Sequence, residues 1–319
     1  MSKQRVIIDL SGPELTQEET ELLKHPAVAG VLLFTRNYQS REQLSALTVS
    51  INRLRPGLII AVDQEGGRIQ RFRQEFTALP AMRYWGNFHE EEPIEAIDDL
   101  REMTTTMVTE LQSCGVNMSL APVLDIDHGV SEVISDRSFS NNPEVCAQLA
   151  KVVIDTMKQC GMRTIAKHFP GHGGIVSDSH HEVSVDDRSK EAIWQCDLMP
   201  FKLLAADYDA VMPAHIIYPL VNDKVVTYSS YWLQKVLREE LCFDGVIVSD
   251  DLTMYAASQV GDYAVRAEAA LEAGCDLLIA ANNRGGAIDI LQFLETYQLN
   301  ENDARIAHFM SHFATEQVI

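Results

Sequence analysis

Residues 245–280 read GVIVSDDLTMYAASQVGDYAVRAEAALEAGCDLLIA, two short apolar runs on either side of a longer stretch with helical periodicity. The runs Gly245–Asp250 and Asp276–Ala280 have the length and the apolar, β-branched composition of buried strands. Tyr263–Ala273 between them has the spacing of a helix and is followed by Gly274, a residue that adopts a left-handed C-cap conformation at low cost. The stretch therefore predicts a strand–helix–strand unit with parallel strands.

The same alternation extends along the whole chain and brings the number of predicted strands to about eight, the number in a (β/α)8 barrel. The predicted strands are Val6–Asp9, Gly30–Phe34, Leu58–Asp63, Asn117–Leu124, Thr164–His168, Ala210–His215, Gly245–Asp250 and Asp276–Ala280. The predicted helices are Thr16–Lys24, Arg41–Leu54, Glu95–Cys114, Pro143–Cys160, Lys190–Ala206, Tyr231–Leu241, Tyr263–Ala273 and Ala287–Tyr297. Because neither consecutive hairpins nor a Pro/Ser-rich linker interrupts the pattern, we predict an α/β protein. Residues 1–319 are expected to form a single (β/α)8 TIM-type barrel domain, in preference to an open doubly wound sheet.

The composition is that of an ordinary globular protein. The 319 residues include 26 Lys and Arg against 46 Asp and Glu, which gives a formal net charge of −20 at pH 7. This excess of acid repels phosphate backbones and anionic lipids, so we expect neither nucleic acid nor a membrane as a partner. The sequence has no apolar stretch typical of a signal peptide or of a membrane span, and its cysteines form no CxxC pair. We therefore expect a reduced, cytoplasmic protein.

Polar residues close several of the predicted strands. In a (β/α)8 barrel the strands end at one rim, where the catalytic groups lie. Since a polar group at the end of an apolar strand is costly to bury unless it is paired, their convergence predicts a binding pocket at that rim. These residues are Asp63, Lys167, His168, His215, Asp250 and Asn282.

The densest group of titratable residues is KHFPGHGG at 167–174, followed by DSHH at 178–181. The carboxylate of Asp178 and the imidazole of His180 are close enough in sequence to meet, and such a pair suits proton transfer near neutral pH. Two other interpretations remain open. Lys167 has the position of a lysine that forms a Schiff base. Alternatively, a metal site suited to zinc is formed by His168, His172, His180, His181 and Asp178.

Two adjacent carboxylates, Asp250 and Asp251, follow the apolar run that precedes them. Successive side chains of an extended segment point to opposite sides, so one carboxylate faces the barrel axis while the other turns toward the following helix. We predict that Asp250 is the nucleophile and that Asp251 supports it or caps the helix. The alternative is that both carboxylates cap that helix.

Residues 63–71 read DQEGGRIQR and combine a carboxylate at a strand end with two glycines and two arginines. Carboxylates accept hydrogen bonds from sugar hydroxyls and arginine donates to ring and amide oxygens, so this segment favours a polyhydroxylated ligand. Arg137, in the loop after the fourth strand, is a further donor. A phosphate site at the glycine pairs Gly66-Gly67 or Gly285-Gly286 is the alternative, and a tight turn is the simpler explanation of each pair.

Together these motifs resemble the family 3 glycoside hydrolases, specifically the bacterial cytoplasmic β-N-acetylglucosaminidases that recycle cell-wall fragments. The resemblance covers about the first 290 residues in the order of the family. Its most specific part is KHFPGHG at 167–173 with DSH at 178–180. The other matching stretches are LFTRNY at 33–38, VDQEGGR at 62–68, APVLD at 121–125, SEVI at 131–134 and SDDL at 249–252. This chain departs from the family at His181, where a proline is usual.

The resemblance implies a retaining hydrolase in which Asp250 is the nucleophile, His180 the general acid/base and Asp178 the partner of His180. It also implies that the sugar contacts Asp63, Arg71, Arg137, Lys167 and His168. The residues alone do not separate Arg71 from Arg68. The implied substrate is N-acetylglucosamine β-1,4-linked to 1,6-anhydro-N-acetylmuramic acid, with or without a peptide, and no cofactor, metal ion or protein partner is implied.

Two other functions remain open on the sequence. The same residues suit phosphorolysis, because a neutral histidine repels an incoming phosphate less than a carboxylate does. The other function is that of a non-catalytic sugar-binding protein on a barrel scaffold. The biological effect of such a protein would not depend on Asp250.

Overall fold

The computed structural model describes residues 4–175, 184–298 and 303–315. Among these residues, eight parallel strands form one sheet in the order β4-β3-β2-β1-β8-β7-β6-β5. The strands are β1 (Val6–Asp9), β2 (Val28–Leu33), β3 (Ile59–Val62), β4 (Met118–Ser119), β5 (Ile165–Phe169), β6 (Ala210–Pro213), β7 (Val246–Asp251) and β8 (Leu277–Ala280). Parallel bridges from Met118 to Arg163 and from Val123 to Lys167 join the two edges. The predicted α/β barrel is therefore confirmed.

Helices follow most strands and cover the outside of the barrel. Their bounds are Gln17–Lys24, Arg41–Leu54, Met82–Glu91, Pro93–Ser113, Pro143–Gln159, Lys190–Gln195, Leu198–Leu204, Tyr231–Glu240, Tyr263–Ala273, Arg284–Thr296 and Asp303–Thr315. The glycines Gly115, Gly161 and Gly274, which follow three of these helices, have positive φ, as a left-handed C-cap requires. None of these helices is long and apolar enough to cross a membrane.

Three sequence predictions about these elements are wrong. The helix predicted at 190–206 is two helices, because the ring of Pro200 cannot share a continuous helix with the carbonyl of Cys196. The strand predicted at 117–124 is limited to Met118–Ser119, and Pro122 in its second half has no N–H to donate. The last predicted helix begins at Arg284, three residues early, because the side chain of Asn283 accepts from Gly286 N and caps it.

Short strands outside the barrel form two separate hairpins that the sequence pattern did not predict. Gln64–Gly66 pairs antiparallel with Ile69–Gln70, and Ile216–Tyr218 pairs antiparallel with Asn222–Val225. Ser184–Val185 adds to the second pair in parallel. Both hairpins extend from the carboxyl ends of barrel strands, so they build the rim where the predicted pocket lies.

The carboxy-terminal helix, Asp303–Thr315, closes the opposite end of the barrel. Four of its residues are buried against apolar side chains from the barrel interior: Ile306, Phe309, Met310 and Phe313. Its Arg305 binds Asp244, which precedes β7, so the helix lies at the amino ends of the strands. The barrel therefore has an apolar floor, and space for a ligand remains at the carboxyl ends.

Candidate active site

A cavity of about 370 Å³ lies at the carboxyl ends of the barrel strands. It is lined by six of the predicted site residues: Asp63, Arg71, Arg137, Lys167, His168 and Asp250. Asp178 and His180, the predicted proton-transfer pair, lie outside the described residues, as does His181. Asn282 lines the same cavity, whereas the buried His215 does not: its ring nitrogens lie near Thr227 Oγ1 and the Asp251 carbonyl, at 2.9 and 3.1 Å.

Lys167 and Asp63 form an ion pair at the centre of the cavity wall. Lys167 Nζ donates to Asp63 Oδ1 at 2.9 Å and lies 2.6 Å from Glu65 Oε1. Burial alone would lower the pKa of Lys167, but the two carboxylates hold it above its usual value. A Schiff-base lysine needs the opposite shift, so this environment argues against that interpretation.

Arg71 is distinguished from Arg68 by its partners. Arg71 Nη2 donates to Asp63 Oδ2 at 3.3 Å, and its buried Nε has no hydrogen-bond partner among the described residues. The guanidinium of Arg68 is more exposed and donates to the carbonyl of Glu132 at 3.0 Å and to Asp136 Oδ1 at 3.3 Å. A buried N–H without a partner is costly, so Arg71 has a donor left for a ligand.

Arg137 is fixed by Glu65, a residue whose role the sequence did not predict. Arg137 Nε and Nη2 donate to the two oxygens of Glu65, each at 2.8 Å. Glu65 lies two residues after Asp63, and this spacing is a signal that both side chains share one side of an extended segment. The pair thus extends the charged cluster from Asp63 and Lys167 to Arg137.

A second missed residue, Asp125, orients His168. The carboxylate is fully buried, its Oδ2 lies 2.7 Å from His168 Nδ1, and its Oδ1 accepts from the backbone N–H groups of His168 and His172. Burial would raise the pKa of Asp125, but His168 beside it holds that pKa below its usual value. The other ring nitrogen of His168 is thereby directed away from Asp125. The Lys167–His168 peptide bond is cis.

His172 lines the same wall, and its environment favours a neutral ring. Burial, with His168 acting in the same direction, lowers the pKa of His172 to about 4. His172 is therefore uncharged near neutral pH and adds no positive charge to the cavity.

The two carboxylates at the end of β7 both line the cavity, so the expectation that one of them turns toward the next helix is wrong, but their hydrogen-bond partners differ. The backbone N–H of Asp251 donates to Asp250 Oδ1 at 2.7 Å. Asp251 Oδ1 accepts from Thr253 N, Thr253 Oγ1 and Ala281 N at 3.0, 2.9 and 3.0 Å, which ties the end of β7 to the end of β8. Burial raises the pKa of Asp251 to about 6. Asp251 therefore fixes the turn that carries Asp250.

The alternatives of helix capping and phosphate binding do not agree with the structure. The helix Tyr263–Ala273 is capped by Asp262, so neither Asp250 nor Asp251 caps it. A Cβ at Gly66 would lie 2.2 Å from the Pro80 carbonyl oxygen, so close backbone packing explains the first glycine pair. In the second pair the N–H of Gly286 is bonded to the cap Asn283.

One group in the described residues has metal-binding donors close together: His128, Cys196 and Asp197. Arg188 Nη1 and Nη2 already donate to the two oxygens of Asp197, each at 3.0 Å. The hydrogen bond to Asp197 raises the pKa of His128 to about 9. Arg188 Nη1 also lies 3.0 Å from His128 Nε2, so a cation already lies beside both Asp197 and His128. The arrangement is that of an ion-pair network outside the cavity.

Comparisons with known proteins agree with this geometry. The model of the glycosyl hydrolase family 3 N-terminal domain matches residues 3–312. A β-hexosaminidase of Tolumonas auensis is 49% identical over 293 residues, which cover 91% of this chain and 86% of that protein. A β-hexosaminidase of Hydrogenovibrio crunogenus is 47% identical over 288 residues, 90% of this chain and 81% of that protein. The crystal structure of NagZ from Neisseria gonorrhoeae in complex with N-trifluoroacetyl-D-glucosamine is 38% identical, with a TM-score of 0.90 over 98% of this chain and 90% of that chain.

Proposed function

The chain belongs to glycosyl hydrolase family 3, and from that membership we propose that it is a retaining exo-β-N-acetylglucosaminidase that acts on cell-wall muropeptides. Its similarity to the β-hexosaminidases makes it a glycoside hydrolase of the β-N-acetylhexosaminidase type. The proposal adds the substrate, the mechanism and the roles of the residues. The observation that carries these roles is the single cavity into which Asp250, Lys167, Asp63 and the two arginines converge.

In the proposed mechanism Asp250 attacks the anomeric carbon of a terminal N-acetylglucosamine while His180 protonates the departing glycosidic oxygen. The carbon–oxygen bond to the leaving group breaks as an ester bond to Asp250 forms. Water, deprotonated by His180, then attacks the same carbon and releases the sugar and the Asp250 carboxylate. Asp178 stabilises the imidazolium form of His180. A histidine in this role sets no second anion beside Asp250, so the nucleophile stays ionised.

The remaining cavity residues are proposed to bind the sugar. Asp63 accepts from hydroxyl groups of the sugar, and Lys167, Arg71, Arg137 and His168 donate to its oxygens. The ion pairs support these donor and acceptor roles, because they hold the charged groups at fixed positions before the sugar binds. No step of this mechanism requires a cofactor or a metal ion.

The proposed substrate is N-acetylglucosamine β-1,4-linked to 1,6-anhydro-N-acetylmuramic acid, alone or with a peptide, as formed during peptidoglycan recycling in the cytoplasm. The resemblance of the motifs to the recycling enzymes supports this choice, and the Neisseria structure shows that a relative binds an N-acylated glucosamine. The net charge of −20 agrees with a small carbohydrate as the partner, rather than a nucleic acid or a membrane. We propose that residues 1–319 form one catalytic domain.

The test is the release of nitrophenol from its β-N-acetylglucosaminide and its β-glucoside by the wild type and Asp250→Ala, with chelator and without phosphate. We expect turnover of the N-acetyl substrate alone, reduced on the order of 10⁶-fold in the variant, as for loss of a serine nucleophile in a hydrolase. Turnover that requires phosphate and yields a sugar 1-phosphate would establish the phosphorylase instead. Turnover that survives in Asp250→Ala would remove that residue from the mechanism.

A further inference from the structure

Glu65 is a buried carboxylate that does not line the active-site cavity, yet it binds two of the proposed sugar contacts. Its side chain is 3% exposed. Its Oε1 accepts from Arg137 Nη2 at 2.8 Å and lies 2.6 Å from Lys167 Nζ, while its Oε2 accepts from Arg137 Nε at 2.8 Å. One carboxylate therefore holds two cations that line the cavity, Lys167 on β5 and Arg137 in the loop after β4.

We propose that Glu65 is the positioning residue of the sugar-binding site, which sets the orientation of Arg137 and Lys167 toward the N-acetylglucosamine. The inference rests on the proposed function and adds to it a residue that does not itself contact the sugar. Arg137 and Lys167 are the residues that touch the substrate, and Glu65 acts through them.

The surroundings of Glu65 explain why the two cations have little freedom. On its other side Glu65 borders a small, mainly apolar cavity that Leu79, Trp85 and Pro122 also line. The hydroxyl of Thr104 in this lining donates to the Leu100 carbonyl, so it does not replace the partners of Glu65. An ionised carboxylate in apolar surroundings is costly unless every oxygen is bonded. Although burial would raise the pKa of Glu65, Arg137 and Lys167 hold it well below its usual range. The carboxylate is thus charged near neutral pH, with both cations bonded to it.

The backbone also fixes Glu65 in place. Gly66, the next residue, has φ of 126° and lies so close to the Pro80 carbonyl that a Cβ there would approach its oxygen to 2.2 Å. Gln64, the preceding residue, accepts through Oε1 from the backbone N–H of Arg71 at 3.0 Å. The strand Gln64–Gly66 is therefore held on both sides of Glu65, and its carboxylate is a rigid reference point for Arg137 and Lys167.

The substitution Glu65→Gln tests this role because it keeps the shape and removes the charge. Whichever oxygen becomes an amide N–H2 group, one donor of Arg137 then faces another donor, and its two-point contact is lost. We expect KM for the nitrophenyl substrate and the inhibition constant of free N-acetylglucosamine both to rise about tenfold, with a smaller change in kcat, as for a loss of binding shared by ground and transition states. Glu65→Asp keeps the charge and should restore part of the affinity.

Asp276→Asn is the matched control, since Asp276 is also a buried carboxylate paired with an arginine, Arg238, at 2.8 Å, but lies at the amino end of the barrel. It should lower the melting temperature and leave KM unchanged. If Glu65 were merely structural, Glu65→Gln would behave like this control, with fewer active molecules and unchanged KM and inhibition constant. If Glu65→Gln does not fold, Glu65→Asp decides, because its shorter side chain cannot hold both cations in place. An inhibition constant above that of the wild type supports the proposal, and an inhibition constant equal to that of the wild type would overturn it.

Binding of N-acetylglucosamine, measured by calorimetry on wild type and Glu65→Gln, separates this inference from the proposed function. An enzyme that binds the sugar and loses affinity in Glu65→Gln, yet does not hydrolyse the glycoside, supports the positioning role and contradicts the hydrolase. Hydrolysis by the wild type with equal sugar affinity in both proteins contradicts the positioning role alone. A double substitution of Glu65→Gln with Arg137→Lys should cost less than the sum of the single changes, because both disrupt one contact.

Discussion

The two ends of this barrel are built from the same strands and have opposite chemistry. At the carboxyl ends, buried charges face a cavity and are arranged in pairs such as Lys167 with Asp63. At the amino ends, the helix Asp303–Thr315 places Phe309 and Phe313 against the barrel interior and leaves an apolar floor. The difference indicates that substitutions at the carboxyl ends change catalysis at a modest cost in stability. Substitutions at the amino ends should lower stability and leave catalysis nearly unchanged.

The largest effect on catalysis, beyond loss of the nucleophile, is expected for His180→Ala. The variant should lose at least about 100-fold in kcat/KM on a glycoside with a poor leaving group, since that group needs protonation. An activated aryl glycoside needs little protonation and should lose much less in the first step. Rates for a series of leaving groups of different pKa measure this, and equal losses across the series would remove His180 from the acid role.

A smaller effect, on stability, is expected from His172 at the carboxyl end. Its folded pKa of about 4 lies below the ordinary value of 6.5, so between these two values the unfolded chain binds more protons than the folded one. His172 therefore lowers stability as the pH falls from 6.5 toward 4. Asp251 acts in the opposite direction, because its folded pKa of about 6 lies above the ordinary 3.8.

The measurement is the melting temperature from pH 4 to pH 7 for the wild type, His172→Gln and Asp251→Asn. Relative to the wild type, stability of His172→Gln should fall less as the pH is lowered, and that of Asp251→Asn should fall more. His308→Gln, at an exposed position of the carboxy-terminal helix, is the control and should follow the wild type. Parallel curves for all four proteins would contradict the shifted pKa values of His172 and Asp251.

The smallest effect on catalysis is expected for Phe313→Ala at the apolar floor. Phe313 is 1% exposed, and removing a buried phenyl ring costs about 3–5 kcal/mol of unfolding free energy. The values of kcat and KM per active molecule should remain within about twofold, because Phe313 lies at the end of the barrel opposite to Asp63, Lys167 and Asp250. Denaturant unfolding measures the loss of stability, and active-site titration with kinetics measures the activity per active molecule. A large change in KM with unchanged stability would contradict the difference between the two ends of the barrel.

The sequence predicted the barrel and the rim of the cavity because both depend on local patterns. Apolar runs mark the strands, and parallel strands bring their ends together, so Asp63, Lys167 and Asp250 could be placed at one rim without coordinates. The two hairpins were missed because their strands are two to four residues long and lack apolar alternation. The carboxy-terminal helix was missed although its apolar residues Ile306, Phe309, Met310 and Phe313 have the spacing of one helix face. Its contacts with the barrel interior show its role.

The roles of Glu65 and Asp125 could not be predicted for a different reason. Each acts through a partner far away in the chain, Arg137 for the first and His168 for the second. Sequence spacing carries no information on such contacts unless the partner lies on the same element. The sequence also could not show which of Arg71 and Arg68 is the better candidate for a sugar contact. That depends on which guanidinium already donates to loop carbonyls.

The central claim is that Asp250 forms a covalent bond to the sugar, and the most direct test is to trap that bond. A fluorinated N-acetylglucosaminyl donor with a good leaving group slows hydrolysis of the glycosyl-enzyme more than its formation. Mass spectrometry of the intact protein and of its peptides should then show one sugar adduct on the peptide that contains Asp250, absent in Asp250→Ala. An adduct on another residue, or turnover of the donor with no adduct and inverted configuration of the product, would contradict the mechanism.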